Sequence, residues 1–152
     1  MNRIRVVVAD QAEAIFYDIT SLKGRPVEVS RFSDPDARRH SGVLGSKRPA
    51  RADEVIGSLR HAIDSENDDP RRLQARNFAK AIAATLDADQ RSRQFAQLIV
   101  VASAPFRSLL RTQFSDATKA SIVYEVPKDL VHSHVEVLRD YLPNSAQELK
   151  SA

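Results

Sequence analysis

The 152-residue sequence contains no cysteine, which excludes a disulfide framework, a thiolate metal site and a cysteine nucleophile together. Aromatic residues make up only 6% of the chain and glycine occurs four times. Long apolar runs are absent as well. The run that follows Met1-Asn2-Arg3 falls short of the roughly seven to fifteen residues of a signal-peptide core and the ~20 of a membrane span. A cytoplasmic protein without membrane insertion is therefore expected. What remains is an ordinary globular composition, 42% hydrophobic and 28% charged, with a mean hydropathy of −0.38. That supply of apolar side chains suits one domain with a core of its own, spanning 1–143. The net charge of +3 and a pI near 9.4 permit a polyanionic partner without requiring one.

The stretch from Gln97 to Phe114 organises the rest. Leu98 to Ala102 is unbroken apolar sequence, too short for a free helix, and predicts a central strand covered on both faces. Ser103 then stands in the cap region of a helix with Pro105 in its first turn, and Phe106, Leu109, Leu110 and Phe114 repeat at helical spacing. A buried strand feeding an amphipathic helix is half of a βαβ unit, so parallel pairing is implied.

Upstream, Arg3 to Ala9 reads as a buried strand, joined by Asp10-Gln11-Ala12-Glu13 to a second strand over Ala14 to Ile19. So short a link makes the pair antiparallel. Gly24 and Pro26 mark a turn, and Val27 to Phe32 alternates as a third strand with one wet face. Residues 33–69 carry no period, and a loop of that length is uncommon unless functional or disordered. Arg38, Arg39, Lys47, Arg48, Arg51 and Arg60, with His40 and His61, face only Asp53 and Glu54 there before an acidic run from Asp64 to Asp69. Asp69-Pro70 starts a helix whose buried stripe is Ala75, Phe78, Ala79, Ile82, Ala83 and Leu86, with Arg71, Arg72, Arg76 and Lys80 toward water. Ala120 to Val126 forms a fifth strand. Ser133 and Glu136 have the spacing of a capping box for a last helix ended by Pro143, and the tail 144–152 is expected to fray.

The order β-β-β-α-β-α-β-α predicts an α/β fold, a three-layer ribonuclease H-like arrangement around a mixed five-stranded sheet whose first strand is central and parallel to the last two. Asp10, Ser103 to Arg107 and Lys128 to His132 then meet at the carboxyl ends of three strands, where open α/β sheets bind ligands. A two-metal nuclease needs several converging carboxylates, and only Asp10 qualifies, with turn formation as its plainer role. His132 and His134 are not spaced as helical metal ligands, which usually sit four apart. No metal and no cofactor are expected. Ser103 lacks a nucleophile elbow. The basic loop suits phosphate backbones, with Arg for bidentate contacts, and the helix start near Arg107 offers a partial positive charge. It has no aromatic residue for stacking bases.

With these segments laid out, the chain resembles the bacterial host-attachment protein family. The matching features are the V-V-V-A-D-Q-A-E-A-I-F opening, Ser46-Lys47-Arg48-Pro49, Arg60-His61-Ala62 followed by Asp69-Pro70, Phe78-Ala79, the I-V-V-A-S-A-P strand ending and Lys128-Asp129-Leu130. The family is itself similar to the middle domain of archaeal and eukaryotic peptide-chain release factors, which implies contact with RNA, tRNA or the ribosome. The Gly-Gly-Gln motif of release factors is missing, since no two glycines are adjacent.

The resulting expectation is a non-catalytic module that binds an anionic partner, RNA on a ribosome, through Arg38, Arg39, His40, Lys47, Arg48, Arg51, Arg60, His61, Arg107 and Lys128. The alternative is a hydrolase acting on peptidyl-tRNA or a phosphodiester with Asp10, Arg107, Lys128 and Asp129. A homodimer through the third strand, an exposed edge, is a further expectation.

Overall fold

The computed structural model describes residues 3–34 and 69–150. Five strands, β1 (Ile4–Ala9), β2 (Glu13–Ile19), β3 (Val27–Ser33), β4 (Gln97–Val101) and β5 (Ile122–Val126), form one sheet in the order β3-β2-β1-β4-β5. β1 is antiparallel to β2, β2 to β3, while β4 lies parallel to both β1 and β5, so the sheet is mixed. The helices among the described residues are α1 (Pro70–Arg91), α2 (Phe106–Gln113), α3 (Asp116–Ser121) and α4 (Val135–Tyr141).

The pleat of β1 sends Val7 and Ala9 to one face and Ile4, Val6 and Val8 to the other. On the first face they meet Phe78, Ile82 and Leu86 of α1 with Phe106 and Leu110 of α2. On the second they meet Leu130, Val131, Leu138 and Leu142. Apolar contacts on both sides explain why β1 and β4 are unbroken apolar runs. Every residue named for the α1 stripe is buried, and Asp69 caps the helix by accepting from the Arg71 amide at 3.0 Å.

Four departures from the sequence-based expectations have local causes. β3 does not bury one face: only Phe32 is partly covered, because β3 is an edge and its register with β2 slips between Phe16 and Tyr17. Val27 and Val29 consequently stay exposed. The segment assigned to the start of β5 instead forms α3, where the Ser115 hydroxyl accepts from the Thr118 amide and donates to Asp87. The Ser133–Glu136 capping box does not form. His134 is the N-cap residue of α4, and the Glu136 carboxylate pairs with Arg25 at 2.7 Å, which holds it below the usual carboxylate range. The box is at Ser145 and Glu148, around a short 3-10 turn at Ala146–Glu148, and the Lys150 amide donates to the Val123 carbonyl at 2.8 Å. Where the sequence predicts a frayed tail from 144, the described residues form this turn and Lys150 bonds to β5.

The sheet also buries a cation. Arg5, on β1, is 4% exposed, and its Nε donates to Asp18 Oδ1 at 2.5 Å while a terminal nitrogen donates to Asp89 Oδ2 at 2.7 Å. The guanidinium carbon lies 5.6 Å from the Phe16 ring centroid and 5.2 Å from that of Phe95. Burial opposes the charge, but the hydrogen bonds to Asp18 and Asp89 outweigh it and raise the Arg5 pKa above its ordinary value.

Candidate functional site

Because β1 and β4 are parallel neighbours, with Val8 opposite Val101, their carboxyl ends emerge side by side. The chain leaving β1 turns at once. Asp10 Oδ1 accepts from the Ala12 amide at 2.8 Å and the Glu13 amide at 2.7 Å, and the Asp10 amide donates to the Glu13 carbonyl. The chain leaving β4 runs through Ser103 and Pro105 into α2, whose first bonds are made by the Ser103 and Pro105 carbonyls. The first turns of α1 close a third side. Between them is a cleft of about 730 Å³.

Ala75, Pro105, Phe106 and Leu109 give the cleft lining its larger apolar side chains. Asp10, Arg72, Ser103, Ser108, Thr112 and Asp129 add polar ones. This is the usual make-up of a ligand site, an apolar bed with a few polar groups that fix orientation. One wall is tied by Gln74, whose side-chain amide donates to the Gln11 carbonyl at 2.9 Å and to Asp34 at 2.7 Å. The Asp34 amide donates to the Ala12 carbonyl at 2.8 Å. Gln74 escaped the sequence reading, although it stands one helical repeat before Phe78 on the buried stripe. A polar residue at a core position was the available signal.

The three segments expected to converge each contribute to the cleft, through Asp10, Ser103 and Asp129. Other candidates turn elsewhere. The Arg107 guanidinium is 3.5 Å from Glu125, which also pairs with Arg111 at 2.5 Å, and neither arginine is among the lining residues. Lys128 Nζ lies 6.0 Å from the Tyr141 ring centroid. His132 is 3.3 Å from Glu13, and His134 is the N-cap residue of α4. Among the described residues no group of three or more His, Asp or Glu side chains is arranged to hold a metal ion. Arg38, Arg39, His40, Lys47, Arg48, Arg51, Arg60 and His61 lie outside the described residues.

Asp10 is thus a turn-forming residue as well as a cleft residue. Asp10→Ala leaves two backbone amides without their acceptor and is expected to cost about 1–3 kcal/mol in a thermal melt. Asp10→Asn keeps one side-chain oxygen and should lose less. Equal losses in the two variants would show that the turn does not depend on that oxygen.

A family model described as "Protein required for attachment to host cells" matches residues 5–142. The chain belongs to this family. The match opens inside β1 and closes just after α4, so the host-attachment region includes all of the sheet but Ile4 and every residue that lines the cleft. Comparison with curated proteins gives no match. No described helix of this host-attachment protein is long and apolar enough to cross a membrane.

Proposed function

We propose that this host-attachment family protein is a non-catalytic binding module, acting in the cytoplasm, that holds an anionic partner at the strand-end cleft, the partner being RNA presented on a ribosome. The observation that carries the reading is how the basic segment is attached. It leaves the described structure at Asp34, which Gln74 fastens to the cleft wall, and returns at Asp69, the cap of α1, the helix that brings Arg72 and Ala75 to the cleft. The sequence between these two described residues carries six lysines and arginines against two acids from 38 to 61. A protein that binds nucleic acid by backbone contact concentrates cations in this way.

The sheet order, with β1 parallel to β4, supports a ribonuclease H-like assignment, and a relationship to release-factor middle domains would account for a ribosomal partner. For a module that binds without turnover, the engagement of the Asp10 carboxylate in its turn is no handicap. The hydrolase reading keeps one observation in its favour, that Asp10 and Asp129 line the same cleft. Turnover of peptidyl-tRNA or a phosphodiester that disappears in the Asp10→Ala, Asp129→Ala pair would favour it over simple binding.

The test is affinity for structured RNA and for ribosomes as a function of salt. Replacing Arg38, Arg39, Lys47, Arg48 and Arg51 with serine should weaken binding about tenfold to a hundredfold at 0.1 M salt and flatten the salt dependence, since each lost phosphate contact removes roughly 0.7–0.9 from the slope. Wild-type protein that does not bind at low salt, or a variant with unchanged affinity, would contradict the proposal.

A further inference from the structure

We infer that a second cavity, at the amino-terminal ends of the parallel strands, is a binding site for an anion bearing a phosphate group. It has a volume of about 530 Å³ and is lined by Arg3, Gln90, Arg93, Gln94, Phe95 and Ala96. Arg3 precedes β1, and Phe95 and Ala96 precede β4, so this cavity sits at the opposite end of the sheet from the strand-end cleft and does not depend on the function proposed for that cleft. Its size is that of small-ligand sites, roughly 300–1,000 Å³.

Three observations point to an anion. First, the lining residues include two arginines and two glutamines and no aspartate or glutamate. Second, the carboxylates close by are already engaged. Asp18 and Asp89 bind the buried Arg5 at 2.5 and 2.7 Å, and Arg3, its side chain 40% exposed, keeps only a longer ion pair with Asp18 at 3.9 Å. Third, Arg93 occupies a backbone position suited to another residue. The end of α1 is closed by the Arg93 amide donating to the Gln90 carbonyl and the Gln94 amide to the Asp89 carbonyl. In that closure the residue after the cap is left-handed and usually glycine. Arg93 has φ 59°, a conformation that costs a side-chain-bearing residue roughly 1–2 kcal/mol. The strain falls on a residue that lines the cavity, and stored backbone strain concentrates at binding sites. Two forked guanidinium groups match the geometry of a phosphate.

Arg93→Gly separates binding from folding, because glycine suits the backbone while removing the charge. Melting temperature and backbone amide shifts would be followed in the whole chain with inorganic phosphate, against sodium chloride at equal ionic strength. In wild type, phosphate should move the amides of residues 90–96 and raise the melting temperature. Without phosphate Arg93→Gly should melt at the same temperature or higher, yet bind phosphate at least about tenfold more weakly, the loss of one charge-assisted bidentate contact. Arg3→Gln should weaken binding in the same direction. A parallel titration with a nucleoside monophosphate tells whether the group is taken free or as an ester, and saturable binding of either at residues 90–96 supports the site. Absence of binding by both, shifts confined to residues 103–109, or undiminished affinity in Arg93→Gly and Arg3→Gln would overturn it.

Discussion

Replacing Arg5 with alanine is expected to destabilise the protein by about 3–5 kcal/mol in a urea titration, the range for breaking a buried ion pair from one side. The magnitude follows from what is left behind. Asp18 is 9% exposed and stands opposite Arg5 on the neighbouring strand, so its carboxylate would lose its closest partner without gaining water. Arg3, 3.9 Å away, replaces only part of the interaction. The ring faces of Phe16 and Phe95 lose the cation as well. Asp89 is more open, 31% exposed at its side chain, and Asp89→Ala leaves the Arg5–Asp18 pair intact, so that loss should stay near 1 kcal/mol. Replacing Arg5 and Asp18 together with leucine and valine should recover most of the stability lost by Arg5→Ala, because the cost lies in stranding one charge and not in lacking the pair. A loss below 1 kcal/mol for Arg5→Ala would mean that the network is not a stabilising element.

Phe78→Ala is expected to cost a comparable 3–5 kcal/mol, from lost burial and the cavity that remains. Phe78 is 5% exposed and is the middle of a line of rings crossing the first core: Phe16 to Phe32 at 5.2 Å, Phe32 to Phe78 at 6.0 Å, Phe78 to Phe106 at 6.3 Å. The first two contacts are edge-on and the third is stacked, the arrangements aromatic pairs favour. Removing the central ring takes a neighbour from both Phe32 and Phe106. Phe106 lines the cleft, so Phe78→Ala should also weaken ligand binding there. Phe78→Leu refills most of the space and should lose less of both. If Phe78→Ala destabilises the fold while leaving partner affinity untouched, the ring line supports the core alone.

The parts of the fold that were legible in the sequence are those governed by period and run length. The apolar stretch Leu98 to Ala102 could only be a covered strand, and the α1 stripe from Ala75 to Leu86 repeats on one helical face. Asp69-Pro70 carried its own start signal. Features that depend on distant partners were not legible. Nothing around Arg5 in I-R-V-V-V announces that Asp18 and Asp89 will meet it, since one partner is fixed by strand register and the other by where α1 ends. The pattern S-x-x-E occurs at Ser133 and again at Ser145, and only tertiary context selects the second: the Ser133 amide is still bound to the Leu130 carbonyl in a turn, and Arg25 takes the Glu136 carboxylate.

The candidate site divides in the same way. That Asp10, Ser103 and Asp129 share a cleft follows from strands leaving the sheet in one direction, which element order implies. Side-chain direction does not follow from element order. Arg107 follows Pro105 closely enough to suggest a place in the cleft, but α2 turns it toward Glu125 on the edge strand β5. Lys128 is drawn over Tyr141 of α4. The positive charge proposed to act at the cleft therefore rests on Arg72 and on the stretch from 38 to 61, six lysines and arginines against two acids.

The most direct measurement is a map of backbone amide shifts in isotopically labelled protein during titration with structured RNA at low salt. The account predicts shifts concentrated at Gln11, Ala12, Arg72, Ser103, Ser108 and Thr112, diminishing as salt rises. Shifts confined to the β3 edge or to residues 90–96, with the cleft amides unmoved at saturation, would contradict it.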